Sequence, residues 1–179
     1  MRCVALLRAV NVGSANQIAM KPLCARLAEH GFGPVTSHLR SGNLTVSADG
    51  GASAHEAEIE RLIRDGFGLD VAVMLRTAAE WRGLIGANPF RREAAADPAK
   101  MQLGVLKSAV SREAFETLRE GYAGPERLEL GDRALFMVYP DGMGRSKLTT
   151  RRIETALGTE ITVRNWNTVE KLRQMTEAG

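Results

Sequence analysis

The densest cationic run in the chain lies in Pro140-Asp-Gly-Met-Gly-Arg-Ser-Lys-Leu-Thr149 and just beyond it. Residues 143–153 carry Arg145, Lys147, Arg151 and Arg152 and no acidic residue. Glycines, a hydroxyl and a lysine ahead of a helix are the parts with which proteins cradle phosphate. Glycine lets backbone N–H groups approach the anion, and the ammonium adds a point charge. The spacing is not G-x-x-x-x-G-K-[ST], and Lys147 follows Ser146 rather than preceding it, which argues against a P-loop NTPase. The plain structural alternative is a glycine-rich strand-to-helix turn with a solvated basic flank.

Three other segments could carry recognition chemistry. Arg8-Ala-Val-Asn-Val-Gly-Ser-Ala-Asn16 runs on to Lys21 at the start of a helix. Such a strand–turn–helix junction offers free N–H groups and the positive end of a helix dipole to an anion. Only Gly13 is present, so this is no dinucleotide fingerprint, and Asn11 and Asn16 equally suit turn positions. Arg164-Asn-Trp-Asn-Thr-Val-Glu170 places Trp166 beside an arginine and two asparagines. Trp166 could stack a base, although Asn167 and Glu170 read as a helix cap. In Arg40-Ser-Gly-Asn43, the Gly42-Asn43 pair is what a tight hairpin requires. The candidate ligand-binding set is therefore Arg8, Asn11, Lys21, Asn43, Arg145, Ser146, Lys147, Arg164 and Trp166.

Other chemistries find little support. Two cysteines, Cys3 and Cys24, and three histidines, His30, His38 and His55, form no C-x-x-C or H-E-x-x-H pattern, so no metal is expected. No G-x-S-x-G elbow occurs, and none of the four segments contains a histidine to act as a general base. Catalytic residues and cofactors stay unassigned.

The elements that must position these segments follow from hydrophobic period. Residues 3–9 read as a strand, followed by a helix with Pro22 at its first position and Leu23, Leu27 and Ala28 on one face. A hairpin about Ser41-Gly42 comes next, then a helix boxed by Ser53 and Glu56, then a strand over 70–75. A linker helix capped by Thr77 and Glu80 ends at Asn88-Pro89, and 91–100 reads as a polar connection. The order then returns: strand 101–106, a helix capped by Ser111, a hairpin about Gly131-Asp132, a helix over 149–157 and a strand over 161–164. A terminal helix capped by Asn167 and Glu170 closes the chain. This predicts an α+β protein of two tandem ferredoxin-like β-α-β-β-α-β subdomains, 1–76 and 101–179, joined by a linker at 77–100. Each sheet would leave one face for the other subdomain, the extra helices or a partner to cover. The cleft between subdomains is the default ligand site.

The chain has 179 residues, and 44% of them are hydrophobic, which excludes wholesale disorder. No apolar stretch is long enough for a membrane span or a signal-peptide core, so a cytoplasmic protein with no membrane partner is expected. The net charge of +3 is too small to require a nucleic-acid partner. Nineteen of the 24 basic residues are arginine, which reads as codon bias in a GC-rich genome. The surplus sits early: residues 1–48 hold five bases against one acid.

Taken together, Leu6-Leu-Arg-Ala-Val-Asn-Val-Gly-Ser14, Met20-Lys21, Arg40-Ser-Gly-Asn43, Asn88-Pro-Phe90, Tyr139 to Thr149 and Thr162 to Leu172 resemble the bacterial family catalogued as domain of unknown function 1697. Ala9 and Ser14 stand where that family usually shows glycine, and Arg40 where it usually shows glutamine. The resemblance implies two ferredoxin-like subdomains and brings no activity, substrate or catalytic residue. The leading expectation is a protein that binds a phosphate-bearing ligand, a nucleotide or nucleic acid, in a basic cleft between subdomains. The alternatives are a small enzyme acting on a phosphorylated substrate there, or a non-catalytic interaction module, with self-association among its modes.

Overall fold

Strand β1 (Arg2–Leu7) is wholly buried from Cys3 onward, so it needs neighbours on both edges. It has them: β3 (Asn43–Ser47) pairs antiparallel on one side and β4 (Val73–Thr77) on the other. The short β2 (Thr36–His38) adds to β3, giving the order β2-β3-β1-β4. A computed structural model describes residues 1–49 and 52–178, apart from the side chains of residues 52 and 53. The chain divides into two compact units, Met1–Arg82 with Lys171–Gly179, and Gly83–Glu170.

In the first unit, α1 (Met20–Leu27) and α2 (Ala52–Phe67) lay Leu23, Leu27, Ile59, Leu62 and Ile63 in one cluster with Cys3, Ala5 and Leu7. The second unit repeats the plan. Its central strand β5 (Met101–Leu106) is buried throughout and pairs antiparallel with β7 (Ala134–Val138) and β8 (Ile161–Asn165). With β6 (Arg127–Gly131) outside β7, the order is β6-β7-β5-β8. Helices α5 (Arg112–Glu120) and α6 (Thr150–Leu157) supply Phe115, Leu118, Ile153 and Leu157 to the core. Both units have the β-α-β-β-α-β order and the antiparallel sheet of a ferredoxin-like fold. Helices α3 (Ala78–Gly86), α4 (Arg91–Ala96) and α7 (Trp166–Glu177) complete the chain. No described helix is long and apolar enough to cross a membrane.

An end strand of a sheet exposes one row of N–H groups, and in β4 that row is met by carboxylates. Val73 N donates to Glu60 Oε1 at 2.8 Å, Leu75 N to Glu56 Oε1 at 2.8 Å, and Thr77 N to Glu80 Oε2 at 2.7 Å. The last bond is half of the capping box expected at α3; Glu80 N donates back to Thr77 Oγ1 at 3.1 Å. The second unit uses the same device: Ile161 N of β8 donates to Glu154 Oε1 at 3.0 Å.

Several local expectations shift. Helix α1 begins at Met20, so Pro22 holds its third position, still within the first turn where no intrahelical N–H is lost. The segment read as a polar connection contains α4; in the turn ahead of it Asn88 Oδ1 accepts from Phe90 N at 2.9 Å. The α7 cap is Asn165, whose Oδ1 accepts from Thr168 N at 3.0 Å, and Asn167 is exposed. The second hairpin turns at Asp132-Arg133, one residue later than expected, and the fourth strand starts at Val73 rather than Asp70. Ser111 caps α5 as expected, accepting from Ala114 N at 3.1 Å. The box expected between Ser53 and Glu56 lies outside the described residues at Ser53. The second face of each sheet is covered, as expected: Val4 and Leu6 of β1, and Leu103 and Val105 of β5, are fully buried on the side away from the helices just described.

Glu56 also lies 3.6 Å from Arg76 Nη1, with both side chains at most 5% exposed. Glu56→Ala therefore strips a buried guanidinium of a carboxylate and a strand amide of its acceptor. A loss of about 3–5 kcal/mol is expected. Removing the exposed Arg61–Asp65 pair should cost less than about 0.5 kcal/mol. Urea denaturation of the two variants checks the contrast.

Candidate functional site

Two loops of the second unit flank an open cavity of about 560 Å³. One, Gly121 to Glu126, leaves the end of α5. The other, Asp141 to Lys147, leads from β7 into α6, and Arg152 closes the wall from α6 itself.

The second loop is built from the bottom by Tyr139. Its ring is fully buried, its N–H donates to Lys100 O at 2.9 Å, and its hydroxyl donates to Leu148 O at 3.1 Å. Burial, with the nearby Glu126 charge adding to it, pushes this phenol well above its ordinary value, so it stays a donor. Gly142 takes φ +83°, a conformation open to glycine, and its carbonyl receives Arg145 N at 3.2 Å to close the turn. Thr149 Oγ1 then caps α6 by accepting from Arg152 N at 3.2 Å.

The two loops are joined by a carboxylate. Glu126 Oε2 accepts from the Tyr122 hydroxyl at 2.6 Å, and Oε1 accepts from Ser146 Oγ. Ser146 Oγ in turn accepts from Leu148 N at 2.9 Å. Arg152 lies over the Tyr122 ring at 5.0 Å and donates to Gly121 O at 3.1 Å. Burial alone would raise the Glu126 carboxyl. The hydrogen bonds from Ser146, Tyr122 and its own backbone outweigh it and hold the group below the usual carboxylate range. For Tyr122, burial and then the bond to Glu126 push the phenol up.

A carboxylate stabilised in its charged form is a poor general base, and Ser146 Oγ is held from two sides. The trio works as a clasp between loops. The groups left open to a ligand are Arg145, Lys147 and Asp141, which line the cavity, are exposed, and have no partner among the described residues.

The other predicted residues divide by role. Asn11, at φ +54°, spends its whole amide on backbone: Oδ1 accepts from Ile18 N at 2.9 Å, and Nδ2 donates to Ile18 O at 2.9 Å and Arg40 O at 2.7 Å. Asn43 is fully buried and donates to His38 O at 2.9 Å and Ser41 Oγ at 3.0 Å. Both hold the loops at the end of β1. The backbone of Arg8 donates to Ala72 O at 2.9 Å, and its side chain is half-buried. Lys21 is exposed at the start of α1 and has no partner among the described residues. Arg164 donates to Thr162 Oγ1 and Val163 O, both at 2.8 Å. Burial pushes its guanidinium down to about 10, which leaves it charged at neutral pH. Trp166 is 7% exposed, and its N–H at the backbone donates to Pro98 O at 3.0 Å. Neither Arg164 nor Trp166 lines the cavity.

Of the candidate set, Arg145, Ser146 and Lys147 thus line one cavity; Asp141 and Arg152 belong to the same basic segment, and Tyr122 and Glu126 come from a loop that the candidate set does not include. Tyr-Ala-Gly-Pro-Glu, with its Gly-Pro loop, was the available signal.

A Cβ on Gly124 would run into the Tyr122 ring and hydroxyl and the Glu126 carboxylate, which are free ends of side chains and can swing away. Gly124→Ala should therefore open the clasp with under about 1 kcal/mol of lost stability. The Tyr122 phenol should fall back toward its ordinary value, as read by NMR titration. Because the Glu126 value is depressed in the folded state, its contribution is present above the usual carboxylate range and lost as pH falls through the folded value. Glu126→Gln should flatten that part of the acid limb of the stability curve.

In comparison with known proteins, no curated protein matches the chain. Among solved structures, the conserved bacterial protein SP0830 from Streptococcus pneumoniae superposes with a TM-score of 0.77 at 20% identity, over 98% of each chain. That likeness concerns fold alone. A family model described as protein of unknown function (DUF1697) matches residues 1–136, ending before the Asp141–Lys147 loop. The chain belongs to the DUF1697 family.

Proposed function

We propose that the chain is a cytoplasmic binding protein that holds a phosphate-bearing ligand in the cavity of its second unit. The observation that carries this reading is the pair of cations, Arg145 and Lys147, which have no partner among the described residues and sit on a glycine-containing turn lining an open cavity. Cations that neutralise no neighbour are available to an anion at little cost in broken contacts. The clasp formed by Glu126, Ser146 and Tyr122 ties the two loops together. Such preorganisation reduces the entropy lost when a ligand binds. A cavity of about 560 Å³ lies within the range that small-molecule sites occupy. The hydroxyl and carboxylate that meet there, Ser146 and Glu126, are spent on the clasp between loops, which favours binding over turnover.

Binding should be salt-sensitive. Arg145→Ala and Lys147→Ala should each weaken it about tenfold or more, as expected for loss of a charge-assisted hydrogen bond. Circular dichroism should remain unchanged. Isothermal titration at low salt with a panel of nucleotides, sugar phosphates, inorganic phosphate and oligonucleotides provides the test. If wild type binds none of them, the proposal fails.

A further inference from the structure

The cavity is not lined by cations alone. Asp141 and Glu126 face it together with Arg145, Lys147 and Arg152. Glu126 is spoken for, since each of its oxygens takes a hydroxyl of the protein. Asp141 is exposed and has no partner among the described residues, although two unpaired cations line the same space.

A site for bare phosphate gains nothing from a free carboxylate, which repels the anion. A polyanion threading the cavity would suffer the same repulsion along its length. A free carboxylate helps when the ligand carries donors close to its phosphate. Ionised carboxylates accept from two directions at each oxygen and are common partners for sugar hydroxyls. Cations and an acceptor in one small cavity therefore complement a molecule that is anionic at one end and rich in hydroxyls at the other.

We infer that the ligand is a phosphorylated sugar or polyol, its phosphate held by Arg145 and Lys147 and one of its hydroxyls donating to Asp141. This rests on the phosphate-binding reading above and adds a ligand class and a specificity-determining residue to it. Arg152 is tied to Tyr122 and Gly121, so it serves the wall of the site rather than the ligand.

Ribose 5-phosphate, ribose and inorganic phosphate are suitable probes for isothermal titration against the full chain at low salt. Wild type should bind ribose 5-phosphate at least about tenfold more tightly than inorganic phosphate, the worth of one hydrogen bond to a charged acceptor. Asp141→Asn should bring the two affinities to near parity while leaving inorganic phosphate unchanged or improved. If Asp141→Asn strengthens both probes equally, Asp141 merely repels and the inference is overturned. If wild type shows no preference for the sugar phosphate, it is overturned as well, while phosphate binding survives. Should wild type bind no phosphate compound of any kind, the underlying reading fails first.

Discussion

An end strand with unsatisfied amides sets the terms for both halves of this protein. Val73, Leu75 and Thr77 of β4 point their N–H groups away from the sheet, and the carboxylates of Glu60, Glu56 and Glu80 answer them one by one. A carboxylate bonded to a strand amide fixes the height of its helix along that strand. Helix α2 is therefore held in register as well as packed, through Ile59, Leu62 and Ile63 on its buried face. In the second unit Glu154 ties α6 to β8 in the same way, while Thr149 caps the other end of that helix. The loop that enters α6 carries Asp141, Arg145, Ser146 and Lys147, so its exit point is set by the bonding of the edge.

The cavity illustrates how a carboxylate and two hydroxyls can organise charge without cancelling it. Had Glu126 paired with Arg145 or Lys147, the loops would be joined and the cations spent. Instead it takes its hydrogen bonds from Tyr122 and Ser146, and the cations remain at the surface of the pocket. Tyr122 is itself steadied by the Arg152 guanidinium over its ring. The clasp folds over Gly124, where a side chain would run into Tyr122 and Glu126.

What could be read from the sequence was what depends on near neighbours along the chain. Strands β1 and β5 announce themselves by apolar runs, and the Thr77–Glu80 box and the Ser111 cap obey local spacing. Asn11 was legible as a turn residue, and its amide is indeed spent on Ile18 and Arg40 backbone. Misreadings arise where two local signals compete. Asn165 and Asn167 flank the first residue of α7, and it is Asn165, at the end of β8, whose Oδ1 reaches Thr168 N. Helix α4 has an alanine-rich sequence with no apolar stripe, so hydrophobic period misses it. The bonds made by Glu126, Glu56 and Glu60 were invisible for a different reason. Their partners lie up to 20 residues away, and solvated and buried carboxylates look alike in a helix pattern.

The edge carboxylates on α2 and α6 have a consequence for how such a chain can arise. Each comes from the helix immediately before the strand it closes, so a β-α-β-β-α-β half carries its own seal on that side within its own coding segment. Copying the half copies the seal. The width of that seal differs between the halves: Glu154 meets Ile161 N in the second, whereas Glu56 and Glu60 meet Leu75 N and Val73 N in the first.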